Sequence, residues 1–262
     1  MFKKESPNID QAVQLLKSGQ KKAQDIICRV FDKACQPKKD KPGKGPIWAG
    51  RHLGDTFLAK FQDSKLPLQA QANKLLHSPK KELRILGLFI LAEYGRFKPK
   101  TVFKDFRKYS KDGELQVRTA AAIAFRRVLE KNKKEALLFL KLLAIDINAD
   151  TRRFVCEVLR PVGDSRWILK QPEKSLSALR LLMWDGDMGV KKALSSNLNI
   201  LSKRDPALIY QFLAQQLRVG NLHTYWIAYR SVKELVKQQK YRKKVLKLLK
   251  IDEYSHKGKV YR

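Results

Sequence analysis

The sequence predicts an all-α chain built as an α-solenoid, a stack of two-helix units with a long exposed surface. Three observations predict it. A basic or aromatic head followed by an apolar helix recurs at Arg84, Arg118, Arg152, Lys191 and Tyr225, in steps of 34, 34, 39 and 34 residues. A period of this size marks stacked supersecondary units, because one unit cannot bury its apolar face alone. No stretch sustains the alternation of a half-buried strand. Finally, 56 Lys+Arg face 25 Asp+Glu, a formal charge of +31. Such an excess of one sign costs self-repulsion and points to a polyanionic partner.

Composition narrows the partner. Hydrophobic residues make up 44% and aromatics 9% of the 262 residues, so this is a folded protein and not a basic disordered tail. Nucleic acid is the first candidate, duplex DNA above all, gripped through its phosphates. An anionic membrane fits less well, because no long segment carries lysines on one face and aromatics on the other. No apolar run has signal or membrane-span length, and a monomeric, cytoplasmic protein is expected. Cys28, Cys35 and Cys156 are too few and scattered for a disulfide framework. The four histidines are isolated. Neither a metal nor a cofactor is expected.

Taken in order, one repeat domain is expected over 1–262. Residues 1–35 read as N-terminal helices, with Val13, Leu16, Ile26, Ile27, Val30 and Phe31 at helical spacing. Residues 36–54 read as a basic Pro/Gly-rich loop. Its GKG is no phosphate-cradling loop, since the GxxxxGK[ST] spacing is absent. Residues 55–250 read as helical repeats. Helices are expected at 55–62, 65–77, 80–95, 100–109, 114–130, 133–145, 149–160, 173–184, 188–201, 205–218, 223–238 and 240–250. Breaks fall at turn chemistry such as Ser78-Pro79, Asp112-Gly113, Pro161 to Asp164, Gly186 and Gly220-Asn221. Residues 251–262 read as a basic tail.

Superimposed repeats separate packing columns from exposed ones. Leu83, Val117, Thr151 and Val190 share one column. Leu91, Phe125, Leu159 and Leu198 share a second, and Tyr94, Val128, Val162 and Leu201 a third. The i, i+8, i+11 set lies on one helical stripe and is expected to face the neighbouring hairpin. Acidic residues gather before the heads (Glu82, Asp112, Glu114, Asp146, Asp150, Asp185, Asp187), where they suit N-capping and the helix dipole. Basic runs in successive units suggest a continuous stripe for phosphates, which carries no base readout.

Neither the tetratricopeptide nor the ankyrin signature recurs. A basic residue inside the second helix, after an acidic turn, resembles HEAT-type repeats, though these units are shorter. RRFVCEVLRP (Arg152 to Pro161) followed by Trp167 resembles the Arg-Arg…Glu…Arg-Pro…Trp block of the HEAT-like DNA alkylation repair proteins, especially the AlkC-type branch. VKKALSSNLNILSKRDPAL (Val190 to Leu208), TYWIAYRSVKELVK (Thr224 to Lys237) and LLHSPKKELRILGLFILAEY (Leu75 to Tyr94) resemble further blocks of that family. The similarity covers about residues 70–238.

This resemblance implies a C-shaped, right-handed superhelix that wraps duplex DNA against a basic concave face. Active members are glycosylases that hydrolyse the N-glycosidic bond of alkylated bases, using a carboxylate and tryptophans beside the lesion. An alkylated purine is already cationic and leaves readily. The protein then needs an acid to stabilise an oxocarbenium-like sugar and electron-rich rings to hold the cation. The chain departs from the family pattern: LQVRTAAAIAF lacks its Trp and Asp, Ile200 replaces an aspartate, and Ser196 stands where a tryptophan would fall.

The resemblance matches Arg152, Arg153, Glu157, Arg160, Trp167 and Trp226. Glu157, together with Asp185 and Asp187 beside Trp184 in the only Trp-Asp pair of the repeat region, supplies the candidate catalytic carboxylates. Trp167, Trp184 and Trp226 are the candidate lesion-contacting rings. Arg118, Arg126, Arg127, Arg152, Arg153, Arg160, Lys191, Lys192 and Arg230 are the candidate DNA-binding cations. Each also has a structural reading: Glu157 pairing with Arg153 or Arg160, Asp185 and Asp187 shaping a turn, the tryptophans packing between repeats. A non-catalytic DNA- or RNA-binding solenoid, or a scaffold for an acidic protein, remains open.

Overall fold

The computed structural model describes residues 22–35, 45–61 and 68–262. The expected helical start at 9–21 and loop lysines Lys38, Lys39, Lys41 and Lys44 lie outside them. Packing divides the chain into two compact units, one ending at Glu135 and the other beginning at Ala136. In the first unit the described helices are α1 (Lys22–Cys35), α2 (Pro46–Phe61), α3 (Leu68–Leu76), α4 (Lys81–Gly95), α5 (Pro99–Tyr109) and α6 (Leu115–Lys131). Next come α7 (Lys133–Leu143), α8 (Ala149–Val158), a 3-10 segment (Gly163–Leu169), α9 (Pro172–Leu179), α10 (Met188–Arg204), α11 (Pro206–Arg218), α12 (Leu222–Ser231), α13 (Lys233–Val236) and α14 (Gln239–Leu249).

The first unit is built around α4, which packs against α2, α3 and α6. Its run Ile85, Leu86, Leu88, Phe89, Ile90, Leu91 is fully buried, as expected of a helix that is apolar all round. The approach of α2 corrects the sequence reading. Residues 46–54 form helix, not loop: Gly50 and Gly54 are one turn apart and serve as contact surface. A Cβ on Gly54 would lie 2.9 Å from Phe89 Cβ, and one on Gly50 would overlap the Ile85 side chain. Two absent side chains thus admit two large ones, Ile85 and Phe89, spaced alike on α4.

The repeat columns order the packing. Leu83, Val117, Thr151 and Val190 are all completely buried, as are Leu91, Phe125, Leu159 and Leu198. The third column holds only in part. Val128 and Leu201 are buried, Tyr94 is half-buried and Val162 is exposed. The reason is that α8 stops at Val158 and the chain turns through Pro161 before Val162.

The three arginine heads share a geometry that spacing alone did not show. Arg84 donates to the carbonyls of Ser78 and Pro79 at 3.1 and 2.8 Å. Arg118 does the same to Asp112 and Gly113 at 2.6 and 3.1 Å, and Arg152 to Asp146 and Ile147 at 2.9 and 3.0 Å. Each of these arginines thereby closes the turn before its own helix. The acids ahead of them accept the N–H two residues on, Asp112 from Glu114, Asp146 from Asn148 and Asp185 from Asp187, all at 2.9 Å. True N-caps are Asn148, Asp187, Asp205 and Asn221. Of the acids before the heads, Asp112, Asp146 and Asp185 therefore close turns, Asp187 caps a helix, and Glu82 and Asp150 lie in first helical turns.

The end of the chain differs from expectation. After Lys250, left-handed at φ 54°, residues 254–261 form an antiparallel hairpin of β1 (Tyr254–His256) and β2 (Lys259–Tyr261). Its two-residue turn, Lys257-Gly258, has φ of 50° and 74°, the positive values that match the twist of paired strands. No helix among the described residues is long and apolar enough to cross a membrane.

Candidate nucleic-acid interface

Most of the sequence candidates belong to the second unit, where α10 packs between α8 and α12. The Asn-Leu-Asn element of α10 fastens all three. Residues two apart on a helix point about 200° apart, so its asparagines reach opposite neighbours. Asn197, 1% exposed, donates from Nδ2 to the Cys156 carbonyl of α8 at 2.7 Å. Asn199 donates to the Arg230 carbonyl of α12 at 2.6 Å. Ser195 adds a bond to the Ile227 carbonyl at 3.3 Å. The three helices thus present a fixed surface.

The candidate carboxylates fall into three environments. Asp185 is buried and held by Arg152, with Nε to Oδ2 at 2.6 Å and Nη2 to Oδ1 at 3.0 Å. The bond to Asp185 pushes the Arg152 guanidinium above its ordinary value, against the opposing effect of burial. Asp187 accepts the Val190 N–H at 3.0 Å and caps α10. Glu157 is half-exposed between Arg153 and Arg160, at 3.7 and 3.9 Å. Both structural pairings foreseen for it are present, and both are loose. Beyond the first turn of α8, Glu157 is the one carboxylate within α8, α10 or α12.

The cations divide in the same way. Arg153 and Arg160 have side chains 41% and 44% exposed, and Lys192 and Arg230 are exposed. Lys191 is only 7% exposed, its ammonium 5.2 Å from the Trp226 ring centroid, and Arg230 lies 5.1 Å from that same ring. In the first unit, Arg126 is 7% exposed. Arg127 sits 2.7 Å from Asp55 and 3.9 Å from Glu93, over the Phe89 ring. The structure thus sets Arg126 and Arg127 among buried or paired cations, and Arg118 and Arg152 in turn closure.

The tryptophans differ in exposure. Trp184 is 56% exposed, Trp167 is half-buried in the 3-10 segment, and Trp226 is half-buried beneath its two cations. Burial pushes the Cys156 thiol well up, which removes it as a nucleophile. No group of His, Cys, Asp and Glu among the described residues could hold a metal ion.

Sequence reasoning missed one cluster. Burial and the charges of Lys233, Lys257, Lys237 and Arg230 hold His256 of the hairpin below its ordinary value. The signal was present in His-Lys-Gly-Lys, read as tail because three-residue strands are too short for alternation to register.

Comparison with known proteins agrees with this architecture. A family model described as DNA alkylation repair enzyme matches residues 53–245. No curated protein matches. AlkD2 from Streptococcus mutans superposes with a TM-score of 0.63 at 18% identity, over 80% of this chain and 97% of that one. The alkylpurine DNA glycosylase AlkC of Pseudomonas fluorescens, bound to DNA containing an abasic site analog, gives 0.61 at 19%, over 93% and 66%. The protein smu.31 of Streptococcus mutans UA159 gives 0.55 at 20%, over 72% and 98%. These neighbours share the helical-repeat fold, and the family match over most of the chain makes this protein a member of the DNA alkylation repair enzyme family.

Proposed function

We propose that this chain binds duplex DNA through backbone phosphates and hydrolyses the N-glycosidic bond of alkylated purines, with Glu157 as the reacting carboxylate. The observation that carries the reading is the position of Glu157, half-exposed between Arg153 and Arg160 and the one carboxylate within α8, α10 or α12 beyond the first turn of α8. Arg153, Arg160, Lys192 and Arg230 hold phosphates on either side of it, without reading bases. The alkylated purine departs as a neutral base once the C1′–N bond breaks. Glu157 stabilises the positive charge left on the sugar, water adds at C1′, and its proton passes to solvent. The products are a free alkylpurine and an abasic site. Similarity to an alkylpurine glycosylase bound to abasic DNA supports this reading. Neither a cofactor nor a metal is invoked.

One observation favours a second reading, a DNA-binding protein without turnover. The Trp226 ring already has Lys191 and Arg230 against it, so a cationic lesion approaching that ring meets like charge. Asp185, another candidate acid, is paired with Arg152. The test is incubation of purified protein with methylated duplex DNA and measurement of free methylpurine. Loss of release in Glu157→Gln, with binding retained, supports the first reading. Release that survives Glu157→Gln moves the chemistry to another residue. Tight, salt-dependent binding with no release in the wild type supports the second reading.

A further inference from the structure

The three turns that lead into α8, α10 and α12 form one edge of the second unit. Arg152 ties the first to the second, donating to the Asp146 and Ile147 carbonyls and to the Asp185 carboxylate. The second is tied to the third: Thr224 Oγ1 donates to the Met183 carbonyl at 2.9 Å, and a Cβ on Gly186 would lie 3.5 Å from His223 Nε2. Polar groups of these turns are used inward, in closure and capping. Apolar side chains are left outside. Ile145 and Ile147 stand at the first turn, Trp184 and Met188 at the second, and Val219 and Leu222 at the third. All six are exposed, Ile147 to 96% and Leu222 to 86%.

The fold does not need them. Side chains this exposed bury little, and surface turns ordinarily take Gly, Asn, Asp or Ser. The preceding repeat supplies a comparison. Its turn, closed in the same way by Arg118, carries Lys111 and Gly113 where the next carries Ile145 and Ile147, 34 residues on. Apolar surface gathered on one edge marks contact with another molecule.

Charge narrows that molecule. Residues 144–150, 183–188 and 219–223 hold four aspartates and no lysine or arginine, in a chain with 56 of the two. Asp185 is paired with Arg152, and Asp146 and Asp187 accept backbone N–H groups beside helix starts, where the dipole offsets their charge. The turns offer no cation to a nucleic-acid phosphate or an anionic lipid. They are a place where two chains of charge +31 can meet without setting lysine against lysine. Six side chains at these exposures present on the order of 800 Å², about one side of a standard-size interface.

We propose that two copies of this chain pair through this edge, about a two-fold axis at the middle turn. Trp184 and Met188 then face their own equivalents. The same axis lays the first turn against the third, so Ile147 faces Leu222 of the partner subunit. Arg153, Lys192 and Arg230 lie outside these turns, and the pairing does not depend on the DNA-binding reading. A dimer replaces the monomer expected from sequence, in which an exposed isoleucine and a buried one look alike.

The test is sedimentation equilibrium of the full chain across the micromolar range, beside Ile147→Asp, Leu222→Asp and, as a control, Lys111→Gln. The wild type and the control are expected at twice the 30.3 kDa of one chain. Ile147 and Leu222 are exposed, so each aspartate variant keeps the fold, which a circular-dichroism melt verifies. Each should raise the dissociation constant about 100-fold, because symmetry counts every change twice. Added salt should tighten the wild-type dimer by screening repulsion between like-charged chains. A monomeric wild type overturns the pairing. A dimer kept by both aspartate variants, or weakened equally by Lys111→Gln, overturns this edge as its surface. A dimer that salt dissociates overturns the apolar contact. Co-sedimentation of a monomeric wild type with phosphatidylglycerol vesicles, lost in Ile147→Asp, would assign the edge to a lipid surface instead.

Discussion

Arg152 binds Asp185 through two nitrogens while its third closes the turn at Asp146 and Ile147. One side chain therefore joins its own repeat turn to the turn that precedes α10. Arg84 repeats the arrangement with Asp112 in the first unit, at 3.0 Å. Removing either partner of the Arg152 pair leaves a buried charge uncompensated. Arg152→Ala and Asp185→Ala are each expected to cost about 3–5 kcal/mol of stability, measured by urea unfolding. A midpoint within error of wild type would show that the pair is dispensable.

Asn197 reaches from α10 to a buried α8 carbonyl. Asn197→Ala orphans the Cys156 oxygen and is expected to destabilise by about 1–3 kcal/mol. Asn199→Ala, whose bond to Arg230 is more exposed, is expected to cost less. Equal losses in the same unfolding experiment would contradict this ranking.

Gly54 is a contact glycine rather than a loop glycine. Gly54→Ala forces a methyl to 2.9 Å from Phe89 Cβ, and overpacking of this kind costs about 1–3 kcal/mol. A neutral or higher melting temperature would mean that α2 can shift away from α4 freely.

The exposed cations of the second unit are expected to act additively on DNA. Arg153→Gln, Lys192→Gln and Arg230→Gln should weaken binding to every duplex, alkylated or not. Each should lower the slope of log affinity against log salt by about 0.9. Arg126→Gln should leave the slope of the folded fraction unchanged, because Arg126 is buried. The reverse pattern in fluorescence-anisotropy titrations would place the DNA on the other unit.

Tyr254 supplies an alkaline signature. Burial, with Tyr229 beside it, raises its phenol to about 12. An unfolded tyrosine ionises near ~10, so the folded state keeps a proton that the unfolded chain has lost. Stability from this group is full below about pH 10 and declines as pH rises toward 12. Tyr254→Phe should flatten that part of the profile relative to wild type in paired denaturation series at pH 9 to 11.5. Parallel profiles would indicate that Tyr254 titrates normally.

The sequence alone determined the repeat, the order of its helices and the positions of its heads, because helix period, turn residues and the apolar stripe are local properties. Leu83, Val117, Thr151 and Val190 could be aligned without coordinates, and all are buried. The family was legible too, from blocks such as RRFVCEVLRP in the right order. Other features required tertiary structure. Gly50 and Gly54 read as loop until Ile85 and Phe89 came against them. Arg126, Arg152 and Arg153 look alike in sequence, yet one is buried, one is bonded to Asp185 and one is half-exposed beside Glu157. Asp185 and Glu157 were equivalent candidates until burial and an arginine 33 residues away neutralised the first. What a charged side chain can do depends on its partners and on its access to water, and both are set by residues distant in the chain.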